Sequence, residues 1–505
     1  MSQLYISRHS YMNHNNISTC CLILFTGLTF LLSGWTTSDS IAQHLRFMSN
    51  RPFSYTVSTA LLTSTDETPF WHYANTNDQI QLGSSINNLT NLDFTIPFKE
   101  NNDGIDFSLG ANLAGRFSDS DNTLHFQELY GSLKFGVFRL NVGKFYQTIG
   151  LNMTELSSGS MIQSQNARPI PKISINLTRF VDVPLTNGIM QVRGHYSDGK
   201  LEEDRFVDSP FVHQKSLYLK FNIKQFSATA GFLHNVQWGG THPNLGRLPQ
   251  SFSDYLNVVF GQSADEGSNT SSSDLNNKLG NSVAAYDFAL NYQVGSFNLT
   301  GHRMFYLEDT VSLRLRSFWD GIYGLGFRKT DDNNSLFSGL LYEFMNTIQQ
   351  DSQPNTPRGR ANYYSNSLYR SGWTFNGNVI GNPLLKFDSV NNRMENNMII
   401  AHHLGIDGWI SDRLQYRAVA TYSRNYGVCS DQIITGRCFI NSENPPDPNL
   451  ETIPRSQLRR DQYSAMIETT YLLTPERGIS LHSSIALDTG DFLSERFGVL
   501  LGVSW

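Results

Sequence analysis

Apolar and polar side chains alternate with a period of two along most of the chain after residue 50. Leu217, Leu219, Phe221 and Ile223 alternate with Tyr218, Lys220, Asn222 and Lys224. Tyr286, Phe288, Leu290, Tyr292 and Val294 alternate with Asp287, Ala289, Asn291 and Gln293. Ile479, Leu481, Ile485 and Leu487 do the same against Ser480, His482, Ser484 and Asp488. Successive side chains of a strand point to opposite faces, so each stretch predicts a strand with one apolar and one polar face. A soluble sandwich alternates too, because one face meets its core. Here charged and amide residues fill the second face in strand after strand, as a wet lumen allows. The end of the chain, Phe497–Trp505, repeats the order: Phe497, Val499, Leu501, Val503 and Trp505 share one face. Gly498, Gly502 and Ser504 share the other, with Leu500 as its apolar exception. In water such an edge invites aggregation. In a closed membrane barrel it pairs with the first strand and turns its apolar face to lipid.

Connection lengths alternate as well. Tight turns are predicted at Gly136-Val137, Lys224-Gln225, Gly295-Ser296, Asp332–Ser335, Ser411–Arg413 and Thr474–Gly478. Long polar connections fall between them, near 146–171, 196–214, 239–281, 308–319, 346–396, 427–460 and 488–495. Short turns at one end and long loops at the other are the asymmetry of an outer-membrane barrel. Counting strands back from a C-terminal strand that descends to the periplasm predicts about 18, an even number as bacterial barrels have. The fold expected is therefore all-β: a transmembrane antiparallel barrel with long outer loops and short periplasmic turns. Residues 79–505 are assigned to it. Residues 43–78 are set apart as a periplasmic or lumen segment with a possible first strand at Phe53–Leu62 and a short helix near Thr68–Asn75. Thr68 is expected to cap that helix, with Pro69 in its first turn.

Cys20–Gly34 is a short apolar run after a polar stretch whose one cation is Arg8, and Ser40-Ile-Ala42 supplies small residues behind it. That layout predicts a cleaved signal peptide over 1–42, with Gln43 the first mature residue. About 460 residues remain, with no later apolar run near the ~20 residues that a membrane helix needs. Strands need only ~9–11 and hide their apolarity in alternation. The composition agrees with 12% aromatic and 16% charged residues and a mean hydropathy of −0.33. A net charge of −6 argues against nucleic acid as a partner. Beyond the signal only Cys429 and Cys438 remain, within the loop-like stretch Tyr426–Asn449. In an exported chain they read as a disulfide closing a surface hairpin, with two thiols or a metal half-site as the alternatives.

Several stretches resemble the capsule assembly Wzi family of outer-membrane proteins, in its Bacteroidetes form. They include Thr68-Pro-Phe-Trp-His-Tyr-Ala-Asn75, Phe126–Lys134, Val142-Gly-Lys-Phe and Asn166-Ala-Arg-Pro-Ile-Pro-Lys172. Trp238-Gly-Gly-Thr-His, Leu248–Tyr255, His302–Asp309 and Gly381-Asn-Pro-Leu-Leu385 follow the same pattern, so the likeness runs from about residue 55 to the C-terminus. The resemblance implies an 18-stranded barrel in the outer membrane of a Gram-negative bacterium, lectin-like and not catalytic. Such a protein binds exported capsular polysaccharide and helps attach or organise it at the cell surface. The helical periplasmic plug of enterobacterial members has little room before residue 79, so inward-folded outer loops are the expected occlusion.

Binding a polysaccharide takes flat apolar faces for sugar C–H surfaces and planar donors for hydroxyls and uronates. The candidates at strand-to-loop junctions are Trp238 with His242; Arg314, Arg316, Trp319 and Asp320; and Arg358, Arg360, Tyr363, Tyr364, Tyr369, Arg370 and Trp373. The competing assignment for the aromatics is the interfacial girdle that every such barrel carries. Lys220, Lys224, Glu128, Lys134, Lys144 and Arg193 line the expected lumen, either as a conducting path or as mutually paired charges. His402 and His403 are neighbours on a strand and point to opposite faces, which excludes joint chelation of a metal. No nucleophile elbow, phosphate loop or zinc-binding helix occurs, and no cofactor is called for. The expected partners are capsular or extracellular polysaccharide and outer-membrane lipid, around a monomeric barrel. The same fold also serves porins and substrate-specific diffusion channels, which is the alternative function.

Overall fold

The computed structural model describes residues 53–99, 104–153, 155–264, 278–308, 317–331, 334–350, 361–428, 437–439 and 452–505. The signal-like segment 1–42, Arg314, Arg316, Arg358, Arg360 and Cys429 lie outside the described residues. Eighteen antiparallel strands form one closed ring. They are β1 Ser54–Ser64, β2 Ile86–Ile96, β3 Ile105–Ser118, β4 Asn122–Phe135, β5 Phe138–Lys144 and β6 Lys172–Leu177. Next come β7 Met190–Lys200, β8 Phe211–Ile223, β9 Phe226–Trp238, β10 Asn281–Val294, β11 Phe297–Leu307 and β12 Gly321–Lys329. The ring ends with β13 Gly339–Asn346, β14 Ile399–Ser411, β15 Leu414–Asn425, β16 Arg460–Thr474, β17 Ile479–Gly490 and β18 Arg496–Ser504. A two-residue piece, Val181-Asp182, continues the pairing of β6 along β7.

The ring closes where the C-terminal strand meets the first one, with Ser58 opposite Ser504 and Ser64 opposite Gly498. The first barrel strand thus lies inside the segment that the sequence reading set apart. Closure leaves no unpaired edge, the condition for a sheet in hydrocarbon. Outward positions are apolar and exposed, among them Leu217, Phe288, Leu290, Ile485, Phe497 and Leu501. Lumen positions are polar and buried, among them Asn112, Gln214, Asp287, Glu343, His403 and Asp488. This is the inversion of a soluble core that alternation predicts. His402 turns outward to the Tyr342 hydroxyl, and His403 inward to Thr421.

With the C-terminus at the periplasmic end, strand direction places connections 65–85, 145–171, 201–210, 239–280, 308–320, 347–398, 426–459 and 491–495 at the outer end. Connection 201–210 is shorter than expected because β7 and β8 continue upward. The polar outward residues there, Tyr196, Asp198 and His213, are covered by a helix from the next outer loop.

Candidate functional site

Three outer connections fold back into the lumen and interlock. Connection 65–85 carries α1, Phe70–Tyr73, which lies against the inner wall. Its Phe70 N–H donates to the Asp488 carboxylate (2.8 Å), His72 Nε2 meets Ser484 Oγ (2.9 Å), and Trp71 packs on His403 at 5.0 Å between ring centroids. Thr68 does not cap this helix, contrary to the sequence expectation. Its hydroxyl donates instead to the Gln81 and Ser84 carbonyls, at 2.8 and 2.9 Å, and so closes the loop on itself. Leu500, the apolar exception of the last strand, packs inside with Leu62, Leu89 and Ile80, giving this loop an apolar seat. Burial of the His72 imidazole pushes its pKa down to about 4, against the opposing charge of Glu468.

Connection 145–171 descends further. Its Ser157 and Ser158 hydroxyls and the Ser158 N–H all donate to the buried Glu343 carboxylate, at 2.7, 2.8 and 2.7 Å. Gly159 follows with φ +119°, where a Cβ would press within 3.1–3.2 Å of Pro383, Ser164 and Asn75. A side chain at that φ is strained in any case. Connection 361–398 clamps the same turn from above. Asn382 Nδ2 donates to the Gly159 carbonyl (2.6 Å), Tyr364 OH to the Met161 carbonyl (2.6 Å) and Trp373 Nε1 to the Ile162 carbonyl (2.8 Å). Asn75 of the first loop adds a bond to the Ser158 carbonyl at 3.0 Å. Leu156, Met161, Ile162, Tyr363, Tyr364 and Trp373 are buried among these loops. The expected inward folding of the outer loops is present among the described residues.

Above this plug the three loops and the β3–β4 turn enclose an outward-facing cleft of about 560 Å³. Its walls carry Arg116, Arg168, Asp78, Asn376, Asn378 and Lys386, with Tyr73 and Phe387 as the ring-bearing side chains. Arg168 Nε pairs with Asp78 Oδ2 at 2.6 Å, while Arg116 donates to the Asp78 carbonyl (3.0 Å) and to Asp121 (3.1 Å). Asn77 and Asp78 hold left-handed φ values of 54° and 57°, so the backbone bends sharply where both arginines converge. Burial raises the Asp78 carboxyl above its ordinary range, opposed by Arg168 and then Arg116. Asn376-Gly377, with φ 49° and 79°, makes the two-residue turn that presents Asn378 to the cleft. Fixed guanidinium and amide donors beside carboxylate and carbonyl acceptors suit a ligand dense in hydroxyls. A second chamber of about 500 Å³ lies below the plug, bounded by Asp407, Gln415, Arg417, Glu468 and His482. There Arg417 pairs with Glu468 (2.6 Å) and Arg328 with Asp407 (2.6 Å).

The sequence candidates are scattered. Tyr363, Tyr364, Tyr369 and Trp373 are enclosed and offer no face to solvent. Tyr363 OH donates to Asp320 (2.8 Å), and Tyr369 OH to the Gly239 carbonyl (3.2 Å). Asp320 is also buried, accepting the Gln349 and Gln350 N–H groups at 3.0 and 2.7 Å. Tyr363, Tyr364, Trp373 and Asp320 therefore brace the plug, while Tyr369 ties its 361–398 loop to connection 239–280. Among the described residues of that cluster only Arg370 is exposed, its guanidinium 4.8 Å above the Phe206 ring. His242 is buried and accepts the Asn244 and Leu245 N–H groups through Nδ1, which shapes a turn. Trp238 packs on the outer wall beside Phe211 and Tyr255. Trp319 is exposed beside Phe318, whose ring lies 4.6 Å from the Arg303 guanidinium on the outward face. That position lies on the outward side of the wall, away from the cleft. Sequence reasoning missed Arg116, Asp78 and Asn378 as cleft residues. The available signal was proximity: Asp78 follows the Thr68–Asn75 stretch, and Arg168 lies within Asn166–Lys172.

Comparison with known proteins follows the same lines. The family model for capsule assembly protein Wzi matches residues 45–386. Among solved structures, the chain is similar to Wzi of Escherichia coli, described as an outer membrane protein involved in group 1 capsule assembly and a carbohydrate-binding β-barrel. The two are 15% identical with a TM-score of 0.54, over 92% of this chain and 87% of that one. OccK5 (OpdH) of Pseudomonas aeruginosa is 11% identical with a TM-score of 0.44, over 90% and 96% of the two chains. No curated protein sequence matches the chain.

Proposed function

We propose the following function on one premise: the chain belongs to the capsule assembly protein Wzi family. It is an outer-membrane β-barrel that takes hold of exported capsular polysaccharide at its outer face and helps keep it at the cell surface. The role is binding and not catalysis. Its contact with polymer is the outer cleft, where Arg168, Asn376, Asn378 and Lys386 meet sugar hydroxyls and carboxylates while Tyr73 and Phe387 border the ring faces. The single observation that carries this reading is the pairing of an interlocked plug with an open polar cleft directly above it. A barrel occluded by its own loops is built to hold a ligand outside, not to pass one through. The barrel acts as a monomer in lipid, its apolar outward faces providing the membrane contact.

Retention on immobilised capsular polysaccharide of the producing organism tests the assignment. The wild-type barrel should be retained, and Arg168→Ala combined with Asn378→Ala should cut retention at least tenfold with the barrel still folded. Equal retention of the double variant would overturn the assignment to this cleft.

A further inference from the structure

The long outer connection 239–280 behaves unlike the plug loops. It carries α2, Phe252–Phe260, which lies against the outside of the barrel. Both ends are well made. Ser251 and Asp254 form a capping box, and Gly261 closes the helix in the left-handed region at φ 66°. One side faces the wall. Tyr255 packs on Trp238 at 5.8 Å and on His213 at 6.0 Å, and its hydroxyl donates to Asp198 (2.9 Å) and meets the Tyr196 hydroxyl. Val258 is buried with Val236, Trp238 and Leu279, and Lys215 Nζ donates to the Val259 carbonyl.

A second side is turned away from the barrel, with the Phe252 ring 6.3 Å from that of Tyr255 on the same helix. Phe252 is 75% exposed, Leu256 39% and Phe260 72%. At four-residue intervals they form one stripe spanning about 80° of the helix circumference. Around the helix, Ser253 and Asn257 follow beyond Phe260, about 100° and 140° from Phe252, and Asp254 lies between Asn257 and Val258. The helix therefore has three faces: one on the barrel, one apolar and uncovered, one polar.

The wall beneath explains the arrangement. On β8, β9 and β10 the outward face is apolar up to Leu217, Phe232 and Tyr286, which are register partners, the first two exposed and Tyr286 half-buried. One outward position higher, about 6–7 Å along the strand, it becomes polar at Lys215 and His234, also register partners, with His213 above them. Bare, these groups and Asp198 would meet the membrane boundary with their polar atoms. The helix roofs them and presents phenylalanine and leucine in their place, so the apolar belt of the barrel continues upward onto α2.

We propose that α2 is a membrane-interface anchor whose Phe252, Leu256 and Phe260 are covered by acyl chains of the outer leaflet. Continuity with the lipid-facing wall selects this occupant. A helix with a large apolar stripe flanked by a polar side lies in the interface plane of a bilayer.

Spin labelling in vesicles tests it. Mature protein, lacking residues 1–42 and carrying Cys429→Ser and Cys438→Ser, receives one nitroxide, through Phe252→Cys or through Ser253→Cys. It is reconstituted into phosphatidylethanolamine vesicles containing lipid A. The Phe252→Cys label should favour collision with oxygen over a water-soluble nickel chelate by at least threefold relative to the Ser253→Cys label. Equal chelate access at the two sites would overturn the proposal. So would spin–spin broadening at Phe252→Cys that disappears on dilution with unlabelled protein, since a second copy would then cover the stripe. Independently of the cysteine background, Phe252→Ser with Phe260→Ser should raise protease cleavage within 239–280 several-fold in vesicles, and unchanged cleavage would again overturn it.

Discussion

Connections 145–171 and 239–280 leave the same end of the same barrel and go opposite ways. The first turns inward and is held by serine hydroxyls and amide groups on a buried glutamate. The second turns outward and is held by an aromatic and aliphatic cluster, with phenylalanines to spare on its far side. A barrel wall faces water within and hydrocarbon without, so a loop that settles on either surface must carry the matching chemistry. The inward loop finds satisfied hydrogen bonds, and the outward one finds burial. Hydrogen bonds to a buried carboxylate are directional and costly to break. The apolar contact is spread over many atoms, each of them weak.

The largest effect should come from the inward side. Glu343→Ala removes three donors' shared acceptor and leaves them buried without a partner, a cost of about 3 kcal/mol or more. Its expected outcome is an unlatched plug: planar bilayers that are silent with wild-type protein should show open steps with the variant. Silence from both would mean the serines are not the latch. Next in size is Gly381→Val, because any Cβ at that position collides with the Tyr364 hydroxyl. A loss of about 1–3 kcal/mol is expected, read as faster proteolysis within 361–398 while the barrel itself keeps its heat resistance. Acid comes third. His72 is held neutral by burial, so the folded loop binds fewer protons than the unfolded one. Its docking is therefore complete above the unfolded pKa of about 6.5 and is lost as pH falls from there toward about 4. Cleavage of connection 65–85 should rise across that window, and His72→Asn should flatten the rise. Trp319→Ala should do least. A residue on the outward wall leaves polysaccharide retention within twofold of wild type, and a tenfold loss would move Trp319 into the binding face.

The barrel was legible because its rule is strict. Every membrane strand must alternate, so the count of about 18, the closure by Phe497–Trp505 and the opposite faces of His402 and His403 followed from residue order alone. The cleft proposed as the binding face was not legible, and Tyr363–Trp373, buried in the structure, shows why. A plug inside a wet lumen needs rings that fill space and still bring an O–H or N–H to a carbonyl. Those are the same residues that a sugar-binding surface uses. Composition cannot distinguish the two, and only the direction in which the loop folds does. Arg116 and Asp78 are 38 residues apart in sequence, and nothing short of the folded loops brings them together. Leu500 went the other way: an apparent blemish in the last strand turned out to be a seat for Ile80.

The join between β1 and β18 is spanned from within by connection 65–85. Arg496 reaches Glu67 and the Thr68 carbonyl, Pro69 and His72 fill the space over Gly498, and Leu62 and Leu500 share one apolar seat. The loop thus acts as an internal bolt across the joint where the two ends of the chain meet. Parting β1 from β18 therefore also requires releasing connection 65–85 from the inner wall.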